Sequence, residues 1–361
     1  MELKTPLYEC HLASHGKMVP FAGYLLPVQY DAGVITEHMT VRQKVGMFDV
    51  SHMAEITLCG KDALANVQML VTNQCDNMED GQVKYSAMCY ENGTTVDDLL
   101  IYKVDNEHFL LVVNAANHAK DVEWMRAHLF GDVVFTDISD DVAQIALQGP
   151  KALEVMRKIC DEKTLPEKYY TFVPHCSVLG RDCLVSRTGY TGEFGYEIYC
   201  APQDAAPIWN ALLENGKEEG ILPCGLGCRD TLRFEAGMPL YGHEMDDTIT
   251  PREAGLGFCV KMKKPDFIGK KALEERGPVT RKMCTLKITG RGIAREHQEV
   301  FADGKRVGMT CSGTHCPYLG GAYATAILDL PYNEVGTQVE VDVRGRRVAA
   351  EVVAIPIYNR A

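Results

Sequence analysis

Several features that this 361-residue sequence lacks narrow its class. No apolar run approaches the ~20 residues that a membrane-spanning helix needs, and the first twenty residues contain no apolar core of a secretory signal. Positive charge is scarce, because 37 Lys and Arg stand against 49 Asp and Glu, a net charge of −12. An acidic body repels phosphate backbones, which disfavours nucleic-acid binding. The composition is that of an ordinary globular protein.

Common catalytic and metal-binding motifs are also missing. The sequence has no GxxxxGK[ST] phosphate loop, no GxSxG elbow, no HExxH and no CxxC pair. Its fourteen cysteines show no paired spacing, so we expect them to be reduced and buried. Cys224 with Cys228, and His315 with Cys316, form isolated pairs that lack the second half of a zinc site. The sequence therefore predicts no metal site.

The charge is unevenly distributed. Residues 261–361 contain 17 Lys and Arg and 11 Asp and Glu, a balance of +6, whereas residues 1–260 have a balance of −18. A basic region of this kind is either a solvated face or a docking surface for an acidic partner.

The pattern of apolar residues predicts an α+β protein. Apolar spacing predicts helices over residues 61–72, 114–128, 151–160, 203–215 and 227–236. Strands are predicted over residues 53–59, 83–90, 95–104, 108–113, 183–187 and 196–200. After residue 280 the sequence becomes strand-like throughout, which predicts an all-β module of about 80 residues and a boundary near 275–280.

Two adjacent carboxylates interrupt the apolar strand VDDLLIY. Successive strand residues face opposite sides, so Asp98 shares a face with Leu100 and Tyr102, and Asp97 with Leu99. At least one carboxylate thus sits among apolar groups, where an unpaired charge is costly. It is either a cap or salt-bridge partner, or a group held for a nitrogen-bearing ligand or a cationic intermediate.

Two further segments carry candidate binding residues. In TGYTGEFGYEI the glycines allow tight turns and close approach to a ligand, Tyr190 offers a stacking face, and Glu197 can accept paired N–H donors. In GLGCRDTLRFEAG, Arg229 lies in the first turn of its helix, where the dipole disfavours a cation, which suggests a specific partner such as a carboxylate. A structural hairpin and a surface ion pair are the alternatives.

Together these segments resemble the aminomethyltransferase (T-protein) family of the glycine cleavage system. The resemblance covers nearly the whole chain, and long motifs of this kind in the same order are very specific. They are TPLYECH, GMFDVSHM (46–53), TTVDDLLIY (94–102), LVVNAAN (111–117), ALQGP (146–150), TGYTGEFGYEI (188–198), PCGLGCRDTLRFEAGMPLYGHEMD (223–246) and DFIGKKAL (266–273).

The resemblance implies a three-lobed folate-binding fold that ends in a β-barrel. We expect a folate-binding α+β region of two intertwined lobes over residues 1–275, and a C-terminal β-barrel domain over residues 280–361. The implied reaction takes an aminomethyl group from the lipoyl arm of a carrier, the H-protein, to tetrahydrofolate. It releases ammonia and gives 5,10-methylenetetrahydrofolate.

The resemblance also implies roles for single residues. Asp98 matches the family's essential aspartate. The residues that match folate-lining positions are Tyr85, Asn114, Tyr190, Glu197, Arg229 and Tyr358, with Met53 as a weaker match. Arg295 matches an arginine near the entrance that faces the carrier, and Arg291 lies beside it in the same basic region.

Departures and rivals accompany the resemblance. His315 and Cys316 stand where the family usually has Ser-Pro, and GIAREHQEVF is an atypical version of its segment. One rival is a folate-dependent demethylase of a small methylated amine or sulfonium compound. Another is a non-enzymatic folate-binding protein of iron–sulfur cluster maintenance, but the KGCYxGQ-type motif is absent here. A monomer or weak dimer in the bacterial cytoplasm is expected.

Overall fold

The computed structural model describes residues 2–360. These residues form two compact units that are built from interleaved segments of the chain. Unit 1 contains the residues up to 67, residues 75–85 and residues 99–232, and unit 2 contains residues 68–74, residues 86–98 and the residues from 233 onward. The predicted boundary near 275–280 marks the start of the C-terminal barrel strands, and the division into 1–275 and 280–361 remains a prediction.

Eight α-helices lie in the described part of the chain. They are α1 (Tyr8–Ala13), α2 (Gly33–Gln43), α3 (Ala63–Leu70), α4 (His118–Ala127), α5 (Ala152–Met156), α6 (Pro202–Asn215), α7 (Leu226–Glu235) and α8 (Lys270–Glu275). The longest, α6, begins with a proline at its first helical position, where no intrahelical N–H is needed. It buries Ile208, Trp209 and Leu212 on one face, as the apolar spacing predicts.

Three open sheets precede the barrel. The first has the order β1-β3-β2, with β1 (Leu3–Lys4), β2 (Met18–Phe21) and β3 (Tyr24–Pro27). The second has the order β11-β12-β13-β10-β4-β14, with β4 (Gly46–Asp49), β10 (Ala143–Gln148), β11 (Phe172–Val178), β12 (Arg181–Ser186), β13 (Gly195–Cys200) and β14 (Leu222–Pro223). The third has the order β6-β7-β8-β5-β9, with β5 (Ala54–Cys59), β6 (Gln82–Cys89), β7 (Thr95–Lys103), β8 (His108–Val113) and β9 (Val134–Asp137).

The C-terminal strands close into a six-stranded barrel in unit 2. Its order is β15-β18-β17-β16-β19-β20, with β15 (Arg281–Ile288), β16 (Glu299–Ala302), β17 (Lys305–Cys316), β18 (Gly321–Asp329), β19 (Gln338–Val343) and β20 (Arg346–Val353). Small and branched residues such as Ala324, Ala326, Val341 and Val352 are fully buried in its core. Closure removes unpaired strand edges, and it confirms the predicted all-β module.

Most predicted elements in the middle of the chain are confirmed, with shifted ends. The hairpin of β7 and β8 is present, but the helix predicted over 151–160 shortens to α5. The helix predicted from Asn114 begins only at His118, after a 3₁₀ turn over Ala115–Asn117. Asn114 occupies the N-cap position of that turn but makes no side-chain capping bond.

The cysteines follow the prediction. All fourteen are free thiols; eleven are buried, and only Cys10, Cys59 and Cys160 are partly exposed.

Candidate functional site

The glycine-rich segment of unit 1 folds as a tight loop against Gln148. A Cβ atom on Gly189 would lie 1.9 Å from Gln148 Oε1, so a larger residue there would displace the buried Gln148 side chain. Gly192 has a φ of +82°, in the region that favours glycine. Thr191 Oγ1 donates a hydrogen bond of 2.9 Å to Gln148 Oε1. These contacts fix the backbone on both sides of Tyr190.

Tyr190 and Arg229 meet in unit 1. The guanidinium carbon of Arg229 lies 4.7 Å from the centroid of the Tyr190 ring, a cation–π contact. Helix α7 supplies the arginine, and the loop before β13 supplies the ring. The sequence predicted a specific partner for Arg229 and named a carboxylate as an example, and the structure places the tyrosine ring over it.

Glu197 is buried in the middle of β13, with 6% of its surface exposed. Its Oε2 accepts a short hydrogen bond from the Thr188 hydroxyl. Burial raises the pKa of Glu197, while the Thr188 hydroxyl and the positive charge of Arg229 act in the opposite direction. Glu197 thus lies in the same electrostatic environment as Arg229, and additional N–H donors would favour its ionised form.

Arg42 of α2 connects the Tyr190 loop to the end of α7. Its Nη1 donates 2.6 Å to the Thr191 carbonyl oxygen and 2.9 Å to Glu193 Oε1. Its Nη2 donates 3.3 Å to the carbonyl oxygen of Leu232. Because Arg42 is buried and planar, it holds loop and helix in one arrangement. The sequence analysis did not select this residue.

The sequence analysis also did not select two further polar residues of unit 1, His52 and Glu55. His52 is 4% exposed, and its Nδ1 has no hydrogen-bond partner within residues 2–360. Burial, followed by the charge of Arg229, lowers the pKa of His52 to about 4, so its ring is neutral at pH 7. The ring of Phe21 lies 5.6 Å away, centroid to centroid.

Glu55 lies three residues further along, in β5. It is 1% exposed, and neither carboxyl oxygen has a hydrogen-bond partner among the described residues. Burial, and then the charges of Asp137 and Glu197, raise its pKa well above the usual value. A charged residue inside an apolar strand drew attention to Asp97 and Asp98, and the same pattern in AEITLC could have identified Glu55.

The paired aspartates of β7 belong to unit 2, and both are buried. Asp97 is fully buried, and its Oδ1 accepts the N–H of Asp98 at 2.9 Å. Asp98 is 9% exposed, and burial, followed by the charge of Asp98, raises the pKa of the Cys259 thiol. Burial of both carboxylates agrees with the expectation from the strand pattern. The choice of Asp98 over Asp97 remains a prediction.

The remaining predicted residues have different surroundings. In unit 1, Tyr85 on β6 and Asn114 after β8 are partly exposed, and Met53 packs against two apolar clusters. In unit 2, Tyr358 is 8% exposed, and its ring packs edge-on against Tyr318 with centroids 5.3 Å apart.

The two arginines predicted to face the carrier are exposed residues before β16. Arg295 donates 2.9 Å from Nη1 to the Gly313 carbonyl oxygen of β17, so its position is defined by the barrel. Nearby on the same strand, Cys316 is fully buried beside Phe234 and Tyr323, and its neighbour His315 is exposed. The unusual cysteine therefore belongs to a local apolar cluster.

One group of possible metal ligands occurs within residues 2–360. Ligand atoms of Glu37, Cys224 and Cys228 lie within 4.8 Å of one another, and all three residues are buried. Both oxygens of Glu37 already accept backbone N–H groups, from Tyr30 at 2.6 Å and from Gly225 at 2.9 Å. These contacts give the carboxylate a structural role. Among the described helices, none is both long and apolar enough to cross a bilayer.

The architecture and the buried polar groups define a class: an α+β protein with a C-terminal six-stranded barrel and buried acidic residues in both units. Comparison with known families specifies it further. The family described as "GCVT N-terminal domain" matches residues 7–264, and the "Glycine cleavage T-protein C-terminal barrel domain" matches residues 281–359.

Similar proteins agree with this assignment. An aminomethyltransferase from Geobacillus sp. (strain WCH70) is 48% identical and covers 99% of both chains. One from Halalkalibacterium halodurans is 47% identical, over 99% of this chain and 98% of its own. The crystal structure of glycine cleavage system aminomethyltransferase T from Bartonella henselae superposes with a TM-score of 0.91 at 30% identity, covering 100% of this chain and 99% of that one.

The chain therefore belongs to the glycine cleavage T-protein family. The predictions of the family, of its fold class and of aminomethyltransferase activity are confirmed. Membership in this family implies the use of folate.

Proposed function

We propose that the protein transfers the one-carbon unit of an aminomethyl group from a lipoyl carrier, the H-protein, to tetrahydrofolate. N5 of tetrahydrofolate displaces the lipoyl sulfur from the aminomethyl carbon, which leaves a dihydrolipoyl arm on the carrier. N10 then attacks the same carbon, ammonia leaves, and the ring of 5,10-methylenetetrahydrofolate closes. The carrier and the folate are co-substrates of this reaction.

The observation that best supports folate binding is the group formed by Glu197, Tyr190 and Arg229. The pyrimidine ring of tetrahydrofolate is planar and carries adjacent N–H donors on one edge. A buried carboxylate accepts such paired donors, and an aromatic ring provides a stacking face. Glu197 and Tyr190 supply these two features, and Arg229 favours the ionised form of the carboxylate. Tyr85, Asn114 and Tyr358 are proposed as further lining residues.

Asp98 is proposed as the catalytic residue. An anion beside the reacting nitrogens orients folate and stabilises the cationic character that develops on the transferred carbon. Asp98 is the slightly more exposed of the two aspartates, whereas an oxygen of Asp97 is engaged with the backbone N–H of Asp98. A carboxyl group that reaches a substrate needs such exposure, which favours Asp98.

The first experiment measures ammonia release from an aminomethyl-loaded lipoyl carrier, with and without tetrahydrofolate, and follows formation of 5,10-methylenetetrahydrofolate. We expect turnover that requires both the carrier and folate. Folate binding without turnover would contradict the proposed donor and favour the methylated amines or sulfonium compounds of the demethylase alternative. Absence of both binding and turnover would contradict the proposed function as a whole.

A pair of variants tests the assignment of Asp98. Asp98→Asn is nearly isosteric and removes the charge, so we expect kcat to fall by about 10²–10³, as for the loss of one electrostatic contact to a transition state. Asp97→Asn is the matched control, because an amide oxygen still accepts the Asp98 N–H, and it should keep most activity. The reverse outcome would transfer the catalytic role to Asp97.

The remaining expectations concern the carrier and the setting of the protein. Arg291 and Arg295 are proposed to attract an acidic carrier, because both are exposed in the basic C-terminal region. A monomer or weak dimer in a bacterial cytoplasm and a reaction without a metal remain predictions.

A further inference from the structure

The side chain of Glu55 is a buried acid whose two oxygens accept no hydrogen bond from the described residues. Its backbone is fully engaged: the N–H donates 3.0 Å to Ser139 Oγ, and the carbonyl oxygen accepts the Ile138 N–H at 2.9 Å. The side chain differs, because both of its oxygens are buried and without a hydrogen-bond partner within residues 2–360. Buried polar atoms are normally paired, so an unpaired carboxyl group points to a ligand.

The strand register shows which side of the sheet Glu55 faces. Glu55 pairs with Val112, and Val112 pairs with Leu100, so the three lie in line across β5, β8 and β7. Val112 belongs to the apolar cluster of unit 1 that also contains Tyr102 and Tyr199. Glu55 therefore projects from the sheet face that carries this cluster, and Tyr199 lies on β13 two residues after Glu197.

The charges around Glu55 are mostly negative. Asp137 of β9 and Glu197 of β13 oppose its ionisation, as burial does. Asp137 is itself held ionised by His118 Nε2 at 2.7 Å and Ser139 Oγ at 2.6 Å. Burial and these neighbouring charges all favour the protonated form of Glu55, whereas at Glu197 the charge of Arg229 acts against burial.

A neutral carboxyl group has a chemistry different from that of Glu197. It offers one O–H donor and one carbonyl acceptor, whereas a carboxylate only accepts. A tetrahydropterin ring carries a carbonyl oxygen adjacent to ring N–H groups, which requires both a donor and an acceptor. Glu197 can accept hydrogen bonds from the edge of the ring that has paired N–H groups. A neutral acid can hydrogen-bond to the edge that has the carbonyl oxygen.

We propose that the carboxyl group of Glu55 binds the ring of the folate co-substrate as a neutral donor–acceptor pair, complementing the anionic Glu197. The inference rests on the proposed function, because folate is the ligand. A second orphaned atom of unit 1 supports it: His52 Nδ1 is also buried without a hydrogen-bond partner among the described residues and lies in the field of Arg229. Unit 1 thus contains two buried polar side chains with unpaired atoms in addition to Glu197 and Arg229.

Three variants test the proposal by anaerobic calorimetric titration with tetrahydrofolate in the absence of carrier. Glu55→Gln stays neutral and keeps a donor and an acceptor, so its Kd should remain within about threefold of the original. Glu55→Leu removes both, so its Kd should rise at least about tenfold. Thr57→Val, two residues along the same strand face, is the control and should bind unchanged.

Thermal unfolding separates binding from a structural role. Replacing an unpaired buried acid by leucine should leave Tm equal or higher, so a loss of folate affinity without a loss of Tm is the expected signature. Unchanged folate affinity in Glu55→Leu would overturn the inference alone, since the original protein would still bind folate. If Glu55→Gln lost as much folate affinity as Glu55→Leu, the proposal that Glu55 binds folate in its neutral form would be overturned.

Infrared difference spectroscopy of the unmodified protein gives a readout that does not depend on the folding of a variant. Folate binding should shift the C=O stretching band of a protonated carboxyl group, and this shift should be absent in Glu55→Gln. Lack of such a band in the folate-bound difference spectrum would overturn the proposal. Failure of the unmodified protein to bind tetrahydrofolate would overturn the proposed function together with it.

Discussion

Two buried glutamates, one in each unit, illustrate opposite solutions to the burial of an acid. Glu244 of unit 2 accepts hydrogen bonds from Arg233 Nη1 at 2.9 Å, the Leu240 N–H at 2.9 Å and the Thr325 hydroxyl at 2.6 Å. The Arg233 charge and these donors hold its pKa below the usual value in spite of burial. The carboxyl oxygens of Glu55 in unit 1 have no such partners in the described part of the chain, and burial raises the pKa of Glu55 well above the usual value.

This difference in hydrogen bonding identifies Glu244 as a structural carboxylate and Glu55 as a candidate binding group. The hydrogen-bond donors that compensate the charge of Glu244 are supplied by the protein, so the ion pair of Arg233 and Glu244 contributes to the folded state of unit 2. Glu55 lowers the stability of unit 1 as long as nothing binds it. Ligand binding is the compensating role that we propose for it above.

The largest effect on the free energy of unfolding is expected from breaking the ion pair of Arg233 and Glu244. Arg233→Met leaves Glu244 buried and unpaired, and it also removes the 3.0 Å bond from Arg233 Nη2 to Ser312 Oγ. Loss of one member of a buried ion pair costs about 3–5 kcal/mol of the free energy of unfolding. Urea denaturation measures this loss. The double variant Arg233→Met with Glu244→Met should recover most of it, and an equally unstable double variant would contradict the comparison.

A smaller loss of stability is expected from Arg42→Lys. This variant keeps the positive charge between the Tyr190 loop and α7 but loses the planar guanidinium group. A lysine cannot bond the Thr191 carbonyl, Glu193 and the Leu232 carbonyl together, so one or two bonds of about 1 kcal/mol each are lost. The KM for folate should rise while kcat changes little, because the Tyr190 loop becomes looser. Steady-state kinetics decide this; a change in kcat alone would argue against a positioning role.

The two glutamates should also have opposite pH dependence. Glu55 has a raised pKa in the folded state, so it destabilises the folded state least below the unfolded pKa near 4.5, and increasingly as pH rises from there to the folded value. Glu244 has a lowered pKa, so its contribution is present above 4.5 and is lost as pH falls through the folded value.

Variants can separate these two contributions. Compared with the original protein, Glu55→Gln should become relatively more stable as pH rises from 5 to 8, by about 1.4 kcal/mol for each unit of pKa shift traversed. Glu244→Gln should instead lose less of its free energy of unfolding than the original protein as pH falls below 4.5. Urea midpoints at several pH values provide the measurement, and parallel curves for Glu55→Gln and the original protein would show that Glu55 is ionised when folded.

The smallest effect on stability is expected at the exposed arginines of the barrel. Arg291→Glu and Arg295→Glu should change the free energy of unfolding by no more than about 1 kcal/mol, as is usual for surface charges. Each should raise the apparent KM for the carrier and leave turnover of free lipoamide unchanged. Lys305→Glu, elsewhere on the exposed barrel surface, is the control. Equal effects on carrier and free lipoamide would contradict the docking role.

Local sequence patterns identified the elements whose signal is contained in a few residues. The β7–β8 hairpin has a clear turn at Asp105-Asn106, and α6 has a strong apolar stripe, and both were predicted closely. The first 45 residues contain short strands and two helices that the patterns did not indicate, because burial there depends on distant partners. Helix α2, for example, buries Glu37, His38 and Arg42, which no apolar periodicity marks.

The candidate site divides in the same way. Asp98, Tyr190, Glu197 and Arg229 were selected because a charge in an apolar strand, a glycine-rich turn and a cation in a first helical turn are visible in the sequence. Glu55, His52 and Arg42 were missed, since their meaning depends on which atoms of distant segments surround them.

The sequence by itself determined the family, the α+β class and the C-terminal barrel, because long ordered motifs and strand periodicity are local or collinear properties of the chain. Only the tertiary structure decided that the buried carboxyl group of Glu244 is surrounded by hydrogen-bond donors and that of Glu55 is not. Both are acidic residues in the sequence, but desolvation and hydrogen bonding act through neighbours in space. Residues far apart in the chain supply those neighbours: Arg233, Ser312 and Thr325 for one acid, Asp137 and Glu197 for the other.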